Sequence, residues 1–518
     1  MTVAELLQAL ARALPPDQRR DSPADARALP PHGAGAVGAP GLDVTCTGVT
    51  YDSRRAAPGT IFVALRGLHS DGVTFAAQAV GAGAAAVVAE RSPDGPIGVP
   101  WVVVKDARLA LALLAAEFEG HPSRAMQVVG ITGTNGKTTT SYLVSAIFEA
   151  AGTRCGLMGT VTYRIGDQEF EATRTTPEAP DVQGLMRQMV NAGCGACVLE
   201  VSSHALALRR VDGMQFAAGV FTNLTRDHLD FHADMEDYFG AKRRLFEMLP
   251  SKAPAVVNVD DPRGASLAEI VKHPVTYGIN RPADVTAGPL SFSLSGLEVD
   301  VRTPRGTVHV QSKLVGRPNV YNILAAAGTA ASLGVPLDAI QRGLQQLSGV
   351  PGRFEPVSSA KDDITVIVDY AHTDDALRNL LETARPLAER RLITVFGAGG
   401  DRDRTKRPLM GMVAGRLSDV VVITSDNPRS EEPGRIIEEV NRGAAPEARQ
   451  SGAQVVAIVD RREAIAYAVG QAESGDVVLI AGKGHEKYQE IGGRVFPFDD
   501  VAVAREALEA RRLKSRAG

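Results

Sequence analysis

The chain has 518 residues, which at roughly 150 residues per domain predicts about three domains and leaves burial of a core unrestricted. With 44% hydrophobic residues, 22% charged residues and a net charge of −4, it reads as an ordinary globular protein, which excludes a disordered, collagen-like or uniformly basic chain that coats nucleic acid. Four cysteines in so long a chain indicate a reducing compartment.

The start, MTVAELLQALARALPP, lacks a basic n-region, and no apolar run reaches the ~18 residues of a membrane span, so no membrane insertion and a cytoplasmic location are expected. Leu6, Leu7, Leu10 and Leu14 predict a short amphipathic helix. Residues 15–41 are crowded with Pro, Ala and Gly, cannot bury a core and are expected to form a loop. From VTYDSRRAAPGTIFVAL onward the pattern is α/β, with a helix at FAAQAVGAGA and a strand at AAAVVAE, completing a first domain over 1–123. A second domain, 124–349, opens with the strand MQVVGIT, the loop TGTNGKTTT and the helix SYLVSAIFEAAG. Over 350–518 one pattern of apolar strand, polar loop and helix repeats, from ITVIVDYAHTDDALRNLLETA to DVVLIAGKGHEKYQ. That spacing predicts a doubly wound parallel sheet. The fold class is therefore α/β in three domains, the central one P-loop ATPase-like and the last Rossmann-like.

GITGTNGKTTT carries the strongest chemical signal. Gly133 and Gly136 let the backbone approach an anion, Lys137 reaches terminal phosphates, and the Thr138 hydroxyl can ligate Mg²⁺. Ile131 stands where the strict phosphate-loop pattern has glycine, so the loop is a variant. Glu200 lies inside the apolar run CVLEVSSHAL, where a carboxylate needs a positive partner. Asp227, His228, Asp230 and His232 follow a strand in FAAGVFTNLTRDHLDFH. His228 reads with Glu200 as a metal ligand, whereas Asp230 and His232 fit a solvated loop with a helix cap. Lys242 falls on the apolar stripe of Met235, Tyr238, Phe239, Leu245, Phe246 and Leu249. An inward lysine can lose its proton and take up CO₂ as a carbamate; its stem can equally pack while the ammonium reaches solvent beside Arg243 and Arg244. Cys194 and Cys197 are expected to be packing residues. The strand ends of the last domain carry DYAHT, GGDRDRTKR, DNPR and GKGHEKYQ, where Arg402 and Arg429 suit carboxylates and Asp426 and Glu486 suit an ammonium, a combination that fits an amino acid.

GTNGKTT, EVSSHAL, TNLTRDHLDFH, GAKRRLF, GRPNVYN, VDYAHT, FGAGGDRDRTKRP, DNPRSEEP and AGKGHEKYQ, in this order, resemble the Mur ligases, and within them the UDP-N-acetylmuramoyl-tripeptide synthetases. The likeness covers the chain apart from 15–41. It implies a UDP-binding, an ATPase and an amino-acid-binding domain, and a cytoplasmic monomer making peptidoglycan precursor from small-molecule substrates, with no nucleic acid. The implied reaction joins meso-2,6-diaminopimelate to UDP-MurNAc-L-Ala-D-Glu at the expense of ATP. Through the resemblance, Gly133, Thr134, Asn135, Gly136, Lys137, Thr138, Thr139 and Asn319 bind ATP. One Mg²⁺ falls to Thr138 and Glu200, and a second to His228 and carbamylated Lys242. Ser53, Thr175, Thr176, Ser202 and Arg210 meet the UDP-muramoyl dipeptide. Arg402, Asp426, Asn427, Pro428, Arg429, Gly482 and Glu486 hold diaminopimelate. Leu208 and Arg174 depart from the family pattern, so neither contact is transferred to them, and His69 and Asp374 differ from it as well. Another Mur ligase, a folylpolyglutamate-type ligase and a P-loop small-molecule kinase remain as alternatives.

Overall fold

The computed structural model describes residues 1–18, 42–67, 70–293 and 295–517. Of the expected loop 15–41, Pro16–Gln18 form a 3-10 turn; residues 19–41 lie outside the described residues, as does His69. The chain forms two compact units. Met1–Gly130, Thr153–Gly219 and Ala241–Ala253 make the first; Ile131–Gly152, Val220–Gly240 and Pro254–Gly518 make the second.

The first unit opens with the helix Val3–Ala13. Its capping box has the Glu5 N–H donating to the Thr2 hydroxyl and the Thr2 N–H donating to the Glu5 carboxylate. Leu6, Leu7 and Leu10 are buried, as their spacing predicts. Gly48–Thr50, Thr60–Val63, Ala86–Ala89 and Trp101–Val103 form a parallel sheet in that order. Because successive strand residues face opposite ways, Ile61 and Val63 pack in the core with Leu6, Leu10 and Leu111, while Phe62 and Ala64 pack with Ala76 and Ala79. Further on, Cys155–Met158 runs parallel to Ala196–Glu200 and continues into antiparallel Thr162–Ile165 and Gln168–Glu171. Cys155, Cys194 and Cys197 are buried thiols, and burial pushes Cys197 well up, so they pack rather than react.

In the second unit the helix Lys137–Ala150 begins earlier than the sequence reading has it, so the Lys-Thr-Thr-Thr run forms its first turn. The helix Leu337–Gln346 approaches so closely that a Cβ on Gly343 would lie 2.5 Å from the Ile147 Cα. Ala255–Asn258 and Pro274–Gly278 are parallel and lead to an antiparallel meander, Val285–Ser293, Gly296–Thr303 and Gly306–Ser312. Alternating burial of Leu297, Val299 and Val301 marks the half-solvated face of such a meander.

The last sheet has the order Glu355–Pro356, Thr365–Asp369, Val477–Ala481, Leu392–Phe396, Val420–Ile423, Gln454–Ala457, parallel except for the first pair. Ile367, Phe396, Val421 and Leu479 pack with Leu377, Met410 and Ile436 of the helices Asp374–Ala384, Lys406–Leu417 and Pro433–Ser451. Val366, Val395, Val422 and Ile480 face the other way, onto Ile465 and Leu508 of Arg461–Gln471 and Asp500–Ala517. This is the doubly wound arrangement the repeats predict. The final repeat departs from its pattern: Val477–Ala481 is followed by the hairpin Tyr488–Ile491 and Arg494–Pro497 before any helix. Gly492 and Gly493, at φ 58° and 73°, supply the two left-handed positions of a tight hairpin turn. Among the described residues no helix is long and apolar enough to cross a membrane.

One ion pair between the helices packed on this sheet is fully buried. Arg461 donates from Nε and Nη2 to the two Asp500 carboxylate oxygens at 2.8 and 2.7 Å, and Nη2 also reaches the Ala481 carbonyl at 2.9 Å. Removing one partner leaves the other charge buried and unpaired, so Arg461→Met should cost about 3–5 kcal/mol, read as a lower midpoint in urea unfolding followed by far-UV circular dichroism. An unchanged midpoint would show that the pair is not needed for stability.

Candidate active site

The phosphate loop joins the strand Gln127–Thr132 to the helix Lys137–Ala150. Gly133 (φ 148°) and Gly136 (φ 87°) hold left-handed backbone, and a Cβ on either would collide, with the Thr222 hydroxyl or the Asn322 amide respectively. The segment after Ala218–Phe221 braces the loop. The Thr134 N–H donates to the Asn223 carbonyl (2.9 Å), the Asn135 N–H to Asn223 Oδ1 (2.9 Å), and the Thr222 hydroxyl to the Asn135 carbonyl (2.7 Å). Lys137 Nζ donates to the carbonyls of Gly133 and Thr134 at 3.0 and 2.9 Å, which sets its ammonium against the loop at a helix N-terminus, where an anion is favoured. Thr138 and Thr139 are buried in the first turn. Asn319 is tied to the loop through Asn322, which donates to Asn319 Oδ1 at 2.9 Å and accepts from Thr140 at 3.3 Å.

Two groups from segments next to the last sheet, Arg353 before its first strand and Asp375 on the helix Asp374–Ala384, reach the loop and the helix that follows it. Arg353 Nη2 donates to the Thr138 hydroxyl at 3.0 Å, and its guanidinium lies 4.6 Å from the centre of the Tyr370 ring. Asn135 Nδ2 donates to Asp375 at 2.9 Å. His228 adopts φ 56°, and its Nε2 is 3.4 Å from Asp227, with His372 Nε2 3.8 Å from the same carboxylate. Burial opposes ionisation of Asp227, but His228, His372 and Lys406 together hold it well below the usual carboxylate range. His232 is buried against the Tyr238 ring with Nδ1 3.2 Å from Asp237, and Asp230 lies 4.0 Å from Arg402. Those two positions thus serve packing and a surface pair.

The carboxyl ends of the last sheet's strands carry a second polar cluster. Asn427 Nδ2 donates to Glu486 at 2.9 Å, Gln489 donates to the Asp426 carbonyl at 2.8 Å, and the Tyr370 hydroxyl donates to Glu486 at 3.5 Å. Gly482 (φ 119°) backs onto Asp426, whose carboxylate would lie 2.7 Å from an added Cβ. Arg402 and Arg429 flank Gly399, and Arg429, itself at φ 52°, donates to the Gly400 carbonyl at 2.6 Å. Pro428 presents its carbonyl to Gly400.

In the first unit, Glu200 ends its strand fully buried. Its carboxylate accepts from the Thr160 N–H at 2.9 Å and the Thr160 hydroxyl at 3.0 Å. The Thr160 and Thr175 hydroxyls are 3.1 Å apart. The Thr176 hydroxyl donates to the Glu200 carbonyl at 2.7 Å and accepts from the Ser202 N–H at 3.1 Å, while Arg210 holds the Thr176 carbonyl at 3.0 Å and Glu178 at 2.7 Å. Thr175, Thr176, Ser202 and Arg210 therefore form one cluster with Glu200. Ser53 sits apart, bonded to Gln78 at 3.0 Å. Nearby, a cavity of about 580 Å³ is lined by Tyr51, Arg55, Tyr163, Arg174, Glu178 and Asp181, among others. Lys242 is 1% exposed although Arg243 is exposed, so its ammonium does not reach solvent as the alternative would have it.

Three segments of the chain match Mur ligase domains: 45–119 the Mur ligase family catalytic domain, 131–330 the middle domain, and 352–484 the glutamate ligase domain. The chain belongs to the Mur ligase family. Two relatives share the name UDP-N-acetylmuramoyl-L-alanyl-D-glutamate–2,6-diaminopimelate ligase. That of Geobacter metallireducens is 48% identical over 94% of this chain and 98% of its own. That of Alkaliphilus metalliredigens is 46% identical over 90% and 94%. A solved structure of the same name is 35% identical, with a TM-score of 0.65, over 91% of this chain and 96% of its own. The sequence reading did not single out Thr160, Arg353 or Lys483. Arg353 lies 215 residues from Thr138, a separation that no spacing rule bridges.

Gly133→Ala should weaken nucleotide binding by about tenfold or more, since the strained backbone and the overlap with Thr222 must both be relieved. Titration with a fluorescent ATP analogue checks this; unchanged affinity would show that the loop does not need the glycine.

Proposed function

We propose that this family member is an ATP-dependent ligase that joins the amine of meso-2,6-diaminopimelate to the D-glutamyl carboxylate of UDP-MurNAc-L-Ala-D-Glu, a step of peptidoglycan precursor synthesis. The observation that carries the reading is a continuous path within the second unit. Thr138 in the phosphate loop meets Arg353, Arg353 lies on Tyr370, and the Tyr370 hydroxyl meets Glu486 in the amino-acid pocket. A phosphoryl site and an amine site so joined suit a reaction in which a carboxylate is first activated and then captured.

A free carboxylate is a poor electrophile. In the proposed sequence the D-glutamyl carboxylate attacks the γ-phosphate of ATP, releasing ADP and forming an acyl phosphate. The diaminopimelate amine then attacks the acyl carbon, and phosphate leaves with the bond it held. Lys137 and the helix N-terminus stabilise the charge that moves through the transferring phosphoryl group. Arg429 and Arg402 engage the distal carboxylate of diaminopimelate, which L-lysine lacks. Thr175, Thr176, Ser202 and Arg210 orient the muramoyl peptide, Ser53 takes the UDP end, and Asn319 lies at the adenine. Thr138 and Glu200 would hold one Mg²⁺, and His228 with Lys242 as a carbamate a second; bound there, the two would neutralise phosphate charge. The burial of Lys242 supports the modification, since desolvation favours the neutral amine that CO₂ requires. We assign the three tasks to 1–123, 124–349 and 350–518, in a cytoplasmic monomer.

Phosphate release should require ATP, the UDP-muramoyl dipeptide and diaminopimelate together, and a kinase-like release without the amine would overturn the reading. Arg429→Ala should lower kcat/KM for diaminopimelate by about 10²-fold, with L-lysine a poor substrate throughout; equal turnover of both amino acids by the unmutated enzyme removes the role given to Arg429. With ¹³C-bicarbonate, a carbamate resonance should appear in the unmutated protein and vanish in Lys242→Ala, whose lost activity acetate should partly restore. A spectrum without that resonance removes the carbamate.

A further inference from the structure

Lys483 belongs to none of the roles above, yet its side chain is completely buried. Its Nζ donates to Asn427 Oδ1 at 2.9 Å and stands 3.4 Å from Glu486 and 3.6 Å from Asp426. Asn427 also accepts from the Glu490 N–H at 3.0 Å, so the amide oxygen is fixed by two donors and the NH₂ is turned toward Glu486.

The charges can be counted. Arg461 and Asp500 cancel each other. Of the groups in contact with Lys483, Asp426 and Glu486 stand against its ammonium, one negative charge in excess, in a cluster whose expected ligand brings an ammonium group. The two carboxyls respond differently to burial. For Asp426 burial opposes ionisation, but Lys483, Arg461, His372 and Lys406 outweigh it and bring the group below the usual range. For Glu486 burial and then the Asp426 charge push the carboxyl up, against Lys483 and the Asn427 amide. Also facing Glu486 are the Arg461 guanidinium and the phenols of Tyr370 and Tyr488, with Arg353 and His485 on the Tyr370 ring and Arg429 beside Tyr488.

Resting on the ligase reading, we propose that Lys483 is a positioning residue that sets the charge of the amino-acid pocket: its ammonium keeps Glu486 ionised beside Asp426, so that the pair is left with a single uncompensated charge for one substrate ammonium. Without it, burial and the Asp426 charge would push the Glu486 carboxyl further up, toward the neutral form that a substrate ammonium does not favour.

The test is steady-state kinetics of the full chain with ATP, the UDP-muramoyl dipeptide and diaminopimelate at pH 7 and pH 9. Lys483→Gln removes the charge but keeps a donor for Asn427. It should raise KM for diaminopimelate about tenfold at pH 7 while KM for ATP stays within about twofold, and the excess over the unmutated enzyme should shrink at pH 9 as Glu486 ionises. Lys483→Met, which lacks the donor as well, should behave alike and replaces the glutamine variant if that one does not fold. Unchanged KM for diaminopimelate, an equal rise in every KM, an excess equal at both pH values, or a defect in Met but not Gln would each overturn the proposal. If the unmutated enzyme releases no phosphate with diaminopimelate, the ligase reading itself fails; if it does and Lys483→Gln is indistinguishable from it, only this inference falls.

Discussion

The Arg353 guanidinium, held between the Thr138 hydroxyl and the Tyr370 ring, is the contact on which the organisation of the second unit depends. A planar cation is suited to this place. It donates in its plane to an oxygen while its face lies against an aromatic ring, which a lysine ammonium cannot do in the same way. Through it the first turn of the phosphate-loop helix is linked to the strand ends that carry Asn427 and Glu486.

Elsewhere the protein places charge in low-dielectric surroundings and compensates it locally. Asp227 is ringed by His228, His372 and Lys406; Arg407, fully buried, is shared by Glu431 and Glu439; Arg461 is matched by Asp500. Glu200 is satisfied in another way, by a backbone N–H and a hydroxyl from one residue, Thr160, and Gly159 next to it leaves no Cβ to crowd the carboxylate. An anionic nucleotide and a zwitterionic amino acid both need such preset partners, because side chains that must reorganise on binding dissipate affinity.

Much of the fold was legible from periodicity. The leucine spacing of the first helix and the strand–loop–helix repeats of the last sheet reflect side chains that must face a core, and the alternation of Val366, Ile367 and Val368 between two cores is the same rule at work. The phosphate loop was legible because glycine, lysine and threonine act there through local geometry. The meander from Val285 to Ser312 was not singled out, since half-solvated strands carry a weak apolar signal. The hairpin after Val477–Ala481 was hidden for a different reason: GKGHEKYQ resembles a loop that enters a helix, and only Gly492 and Gly493 betray the turn. Arg353, Thr160 and Lys483 escaped notice because their importance comes from partners brought close by tertiary structure.

The path of the backbone has a consequence for biosynthesis. The polypeptide leaves the first unit at Gly130, returns at Thr153, leaves again at Gly219 and returns once more for Ala241–Ala253. A ribosome must therefore deliver about half of the message before that unit has all of its parts, although the amino-terminal sheet finds nearly all of its own core within residues 3–114. Early termination between these crossings would yield a fragment lacking part of its own core, a substrate for chaperones or proteases.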